Sequence, residues 1–191
     1  AYPRAAEDAR RCLTDLQMSA LRLLPRYHGY RLGEEVQASG CRGVMTVAAD
    51  LARPVSITYE IEDDRQHHLL FRPCELAEEE IAAAILAFPE VNFVLERMRY
   101  SLARSVQRLA PDVTKWYVNI SGRGMLGATV HLGIADLLDW IGPERVLLGT
   151  GMAMQYPRAP FLKLDSLSLD HDTLRKIKGE NASRLLRLST R

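Results

Sequence analysis

Apolar residues along the chain alternate between helical spacing, near 3.6, and the tighter spacing of buried strands. Ala6, Ala9, Leu13 and Leu16 follow the helical period, and Ala20 to Leu24 then reads as a strand that Pro25 ends. A helix over Cys41 to Leu51 precedes Pro54-Val-Ser-Ile-Thr-Tyr-Glu-Ile61, whose β-branched content suits a buried strand. Glu75 to Phe88, rich in Ala, Glu, Ile and Leu, predicts the clearest helix; Pro89 stops it, and Val91 to Leu95 supplies the next strand. Tyr100 to Leu109 is helical up to Pro111, Trp116 to Ile120 is a strand, His131 to Trp140 a helix and Arg145 to Leu148 the last strand. Residues 158–169 supply an outer helix and its lead-in. Alternation of this kind predicts an α/β fold built on a parallel sheet.

Two α/β architectures compete at this point. A doubly wound sheet that binds nucleotides calls for Gly-x-Gly-x-x-Gly after a strand, but Gly122-Arg-Gly-Met-Leu-Gly127 provides only spaced glycines and reads as a loop. A closed (β/α)8 barrel needs roughly 250 residues, and the chain has 191. With no internal repeat, low-complexity tract or Gly/Ser linker, one domain over residues 1–191 is expected.

Composition removes several function classes. Twenty-five basic residues against 24 acidic ones leave a formal net charge of +1, so no long-range field favours nucleic acid or an anionic membrane. Arginine outnumbers lysine, which fits phosphate or carboxylate binding and equally fits genomic composition bias. Cys12, Cys41 and Cys74 are widely spaced and odd in number; neither a disulfide framework nor a zinc ribbon follows, and a reducing cytoplasm is expected. The opening Ala1-Tyr2-Pro3-Arg4 has no signal-peptide pattern, and no apolar run is long enough to span a bilayer.

Four segments, in order, carry a family resemblance. They are Arg22-Leu-Leu-Pro-Arg-Tyr-His-Gly-Tyr30, Ala87-Phe-Pro-Glu-Val-Asn-Phe-Val-Leu95, Ile141-Gly-Pro-Glu-Arg-Val-Leu-Leu-Gly149 and Gly179-Glu-Asn-Ala-Ser-Arg-Leu-Leu186. Together they resemble the middle strand and loop, a helix-to-strand joint, the last strand and the closing helix of amidohydrolase-related proteins. The resemblance implies a TIM barrel of the metal-dependent hydrolase type that lacks its first one or two βα units in this chain. It also implies a metal site whose positions have changed. Where relatives carry His-x-His on the first strand, this chain has yet to begin. The ligand in Pro-Val-x-Ile-His corresponds to Thr58, the His of Leu-x-His-Met-Gly to Arg97, and the Asp of Gly-Ser-Asp-Tyr-Pro to Gly151. None of these is a zinc ligand, and the Arg97 charge would repel a cation. No cofactor is therefore expected, zinc being admissible only if a preceding segment supplies ligands.

The resemblance directs attention to the strand ends, where such barrels work. Alternation places Ser56, Thr58, Glu60 and Glu62 on one face. Beyond them Asp63-x-Arg65-x-x-His68 resembles a motif of metal-poor members of the family. The candidate catalytic residues are Glu60, Glu62, Asp63 and His68, a carboxylate and an imidazole sharing acid–base work. Arg26, His28, Arg65, Arg97, Arg99 and Tyr100 are the candidates for holding an anionic substrate. Against each stands a plainer account: solvated loop charges in surface pairs worth under about 1 kcal/mol, idle histidines, and an arginine that only neutralises Glu60 or Glu62. The expected function is hydrolysis of a small carboxylated molecule. The alternatives are a non-catalytic amidohydrolase-like scaffold or assembly subunit, and a decarboxylase of the aminocarboxymuconate-semialdehyde type. A barrel short of strands exposes sheet edges, so a homo-oligomer, or a chain or segment that completes the barrel, is the expected partner.

Overall fold

The computed structural model describes residues 3–28, 30–32, 39–59, 76–121, 131–152 and 156–188. α1 (Ala5–Thr14) leads to β1 (Leu21–Leu23), the one-turn α2 (Pro25–His28), α3 (Ser39–Asp50) and β2 (Val55–Thr58). Next come α4 (Glu78–Ala87), β3 (Phe93–Glu96), α5 (Tyr100–Leu109), β4 (Trp116–Asn119) and α6 (His131–Ile141). A 3-10 turn (Pro143–Arg145) enters β5 (Val146–Leu147), followed by α7 (Arg158–Asp165), α8 (His171–Arg175), a π turn (Lys176–Glu180) and α9 (Asn181–Leu186).

Some boundaries move for local reasons. Pro25 ends β1 as expected and also opens α2, since its fixed φ and missing N–H suit a first helical position. α4 begins three residues later than Glu75, because Ala77 is extended at φ −78°, ψ 152°, and Glu78, Glu79 and Glu80 then place negative charge on the helix N-terminus. Arg145 belongs to the 3-10 turn rather than the last strand. Its guanidinium lies 4.8 Å over the Trp116 ring and donates to Ile141 O at 2.7 Å and Gln107 Oε1 at 3.0 Å.

All four strand pairings are parallel and the sheet order is β1-β2-β3-β4-β5. A doubly wound sheet must reverse direction at a switch point. Here every crossover advances one place the same way, as in a βα barrel, so the competing architecture is discarded. The register divides the strands into two faces. Leu21, Leu23, Val55, Ile57, Phe93, Leu95, Trp116, Val118 and Val146 face outward and share one core with Met45, Ile81, Ile85, Leu102, Val106, Ile134 and Leu137 of the helices. Arg22, Ser56, Thr58, Val94, Glu96, Tyr117, Asn119 and Leu147 face inward. Burying apolar surface on the outer face holds the layers together and leaves the inner face to carry polar groups.

The last helical segments fix the β5 end of the sheet. Ile177 is fully buried, and its carbonyl, inside the π turn, accepts from Leu148 N at 3.1 Å. Asn181, also fully buried, donates from Nδ2 to Pro143 O at 2.7 Å and Val146 O at 2.9 Å. Arg184 Nη2 donates to Asn181 Oδ1 at 3.1 Å, which settles the amide orientation. Leu185 and Ala182 pack on Val94, Tyr117 and Leu147 of the inner face. Among the described residues no helix is long and apolar enough to cross a membrane.

Candidate active site at the strand ends

Thr58, Glu96 and Asn119 are the last residues of β2, β3 and β4, and the register sets them side by side on the inner face. Thr58 is 1% exposed. Its Oγ1 accepts from Arg22 Nε at 2.9 Å and donates to Glu96 Oε2 at 3.3 Å. Arg22 Nη2 lies 3.2 Å from the same carboxylate oxygen, closing a triangle across three strands. The Glu96 side chain is 20% exposed and that of Arg22 54%, so the pair runs from the interior to solvent. The triangle fixes a carboxylate that can take or give a proton, beside a guanidinium whose planar fork suits a second carboxylate.

The residues expected on the rim fall into three groups. Glu60, Glu62, Asp63, Arg65 and His68, with the acid–base pair they would form, lie outside the described residues. Arg97, Arg99 and Tyr100 follow β3 directly. Arg97 leaves the strand with a left-handed φ of 54°, uncommon for a residue with a side chain. Arg99 is the N-cap residue of α5. Tyr100 opens that helix with its ring against α6, where a Cβ on Gly133 would lie 2.3 Å from Tyr100 Cδ2. Burial pushes the Tyr100 phenol up to about 12, so it stays neutral. On the other side, Arg26 Nη1 reaches Tyr59 O at 3.5 Å. His28 sits between Tyr27, edge-on at 5.5 Å, and Tyr30, stacked at 6.4 Å.

Sequence reasoning missed Arg22 and Glu96. Each had a signal. Arg22 is a lone charge between Leu21 and Leu23, the mark of a residue on the face opposite the core. Glu96 ends the apolar run Phe-Val-Leu, and the ladder pairs it, rather than Arg97, with Thr58.

The strand ends can be tested against the metal that the resemblance implies. Thr58 is occupied by Arg22 and Glu96, and Glu96 is the lone carboxylate of the triangle. Gly151 has a φ of 68°, a left-handed turn that glycine accepts freely, and it offers no side-chain ligand atom. Among the described residues no three His, Cys, Asp or Glu side chains gather as a metal site. This donor set does not fit zinc, which needs imidazole, thiolate or several carboxylates.

The chain matches the model of the family described as amidohydrolase over residues 1–188. No curated protein matches it in sequence. Solved structures similar in fold include a dihydroxybenzoic acid decarboxylase from Polaromonas sp. with bound manganese and the inhibitor 2-nitroresorcinol. It aligns with a TM-score of 0.72 at 15% identity, over 97% of this chain and 66% of that one. A 5-carboxyvanillate decarboxylase from Sphingomonas paucimobilis aligns at 0.67 and 14%, over 96% of this chain and 63% of that one. A TIM-barrel protein from Bordetella bronchiseptica aligns at 0.66 and 17%, over 92% and 59%. The sheet is thus an arc of a TIM barrel, and the chain spans two thirds or less of the length of these three neighbours.

Proposed function

The chain belongs to the amidohydrolase family, and from that premise we propose that it is an enzyme acting on a small carboxylated molecule without tightly held zinc. The observation that carries this reading is the Arg22–Thr58–Glu96 triangle on the inner face. Arg22, steadied by Thr58 and Glu96, presents positive charge to the substrate carboxylate, and Arg26, Arg97 and Arg99 add to that field from the rim. Glu96 is the proton-handling group, and Thr58 sets its orientation. Asp63 and His68 share the acid–base work in this reading. In hydrolysis Glu96 takes a proton from attacking water and returns it to the leaving group.

Decarboxylation is the second reading, and the names of the Polaromonas and Sphingomonas neighbours favour it. There the bond to the carboxylate breaks, carbon dioxide leaves, and a proton replaces it on carbon. The Polaromonas neighbour was solved with manganese, whereas the described strand ends here offer a cation one carboxylate already paired with a guanidinium.

Turnover of a panel of aromatic and aliphatic carboxylates, before and after chelation, tests the proposal. Activity should survive chelation. Glu96→Gln should lower kcat by about 100-fold or more, the ordinary contribution of a positioned acid–base group. Arg22→Ala should act mainly on KM. Carbon dioxide release would select decarboxylation over hydrolysis. Stoichiometric zinc with activity lost on chelation would overturn the metal-free mechanism, and absence of turnover across the panel would favour a scaffold.

A further inference from the structure

Asn119 takes no part in the triangle, although it is the register partner of Glu96 on the neighbouring strand. Its Oδ1 is buried and has no hydrogen-bond partner among the described residues. Its carboxamide lies over the backbone just past β5. A Cβ on Gly149 would sit 2.4 Å from Asn119 Oδ1, 3.0 Å from Nδ2 and 2.6 Å from the Cβ of Ser121. Any side chain at 149 would therefore collide with the amide, so glycine there makes room for Asn119. A buried acceptor left unpaired is costly, and a leucine of similar volume would fill the place without that cost. A polar group held at such expense in a site points to a ligand.

We propose that Asn119 is a specificity-determining residue of the strand-end site, accepting a hydrogen bond from a hydroxyl of the ligand seated against Glu96, with Gly149 giving the carboxamide the notch it occupies. This deepens the reading above and rests on it for where the ligand sits. A carboxamide offers one acceptor and one donor group side by side, and a hydroxyl answers both. Adjacent strands lie about 4.8 Å apart, so the Glu96 carboxylate repels a second anionic group from the notch. A cationic group would compete with Arg22 for Glu96 rather than turn to a neutral amide. A neutral donor is what remains, and a hydroxyl is the smallest that can meet a carboxamide.

The test uses the full chain labelled with nitrogen-15, the Asn119 side-chain amide signals being assigned by their loss in Asn119→Leu. Phenol should shift those signals, and anisole, equal in shape but without the donor, should leave them in place. In parallel, 3-hydroxybenzoate should bind about tenfold tighter than benzoate, as one net hydrogen bond gives. Asn119→Leu and Gly149→Ala should each bring that ratio to about one while benzoate still binds. Equal shifts from phenol and anisole, no shift from either, or a ratio that persists in Asn119→Leu would overturn the proposal. If benzoate does not bind but phenol moves the Asn119 signals, the notch stands and the carboxylate reading falls. If benzoate binding depends on Arg22 while the ratio in the unaltered chain is one, the notch falls and the carboxylate reading stands.

Discussion

Tyr100 shows how burial changes the chemistry of a single residue. Just after β3 its ring is pressed against Gly133, and burial holds its phenol neutral up to about 12. An exposed tyrosine ionises near 10. Below pH 10 both folded and unfolded chains keep the proton, and stability is unaffected. Between pH 10 and 12 only the unfolded chain gains by ionising, so stability falls as pH rises, by as much as about 3 kcal/mol for a shift of this size. Urea midpoints at pH 9 and 11 should therefore drop more steeply for the unaltered chain than for Tyr100→Phe; parallel behaviour would contradict the burial. Single residues are where sequence reasoning ran short. Alternation placed Thr58 and Ser56 on one face, and the resemblance made that face the inner one, but Glu96 and Arg97 differ by one position, and only the strand register decides which of them meets Thr58.

Elements were the most legible scale, since periodicity reports which face is buried and Pro reports where an element stops. β1 to β5 and helices α3 to α6 lie where the apolar runs put them, with ends shifted by the extended Ala77 and by Arg145 turning over Trp116, while the one-turn α2 falls in a stretch read as strand and loop. What the pattern could not supply was the work of Asn181. An Asn-Ala pair in a closing helix was visible as a motif, but its two hydrogen bonds to backbone carbonyls 35 and 38 positions earlier depend on tertiary placement. Replacing Asn181 by Leu removes the buried donor to Val146 O, at about 1–3 kcal/mol, while Pro143 O keeps the Val146 N–H as a partner. A loss of about 1–3 kcal/mol in urea unfolding is expected. Asn181→Asp should be no milder, because a carboxylate would face two carbonyl oxygens. A loss under about 0.5 kcal/mol in either variant would show that the bonds are not needed.

For the whole molecule, the two ends of the sheet differ. At β5 the π turn and Asn181 satisfy backbone groups. At β1 no strand pairs on the outer side among the described residues, and Leu16 and Met18, 56% and 48% exposed, stand just before it. An open strand beside exposed apolar side chains favours pairing with another chain or segment. Sedimentation at micromolar concentration should show self-association, weakened by Leu16→Lys with Met18→Lys; a stable monomer would refute this. The protected end depends on a detail of length. The π turn holds one residue more than an α-helical turn, and each residue of an α-helix advances it by about 100°. Deleting Gly179 alone would only return the π turn to an α-helical one, whereas inserting a residue between Glu180 and Asn181 would rotate all that follows by about that angle, swinging Asn181 and Leu185 off the sheet together. The seal on β5 is kept by a count of residues as much as by their chemistry, and one residue added after the π turn would undo it.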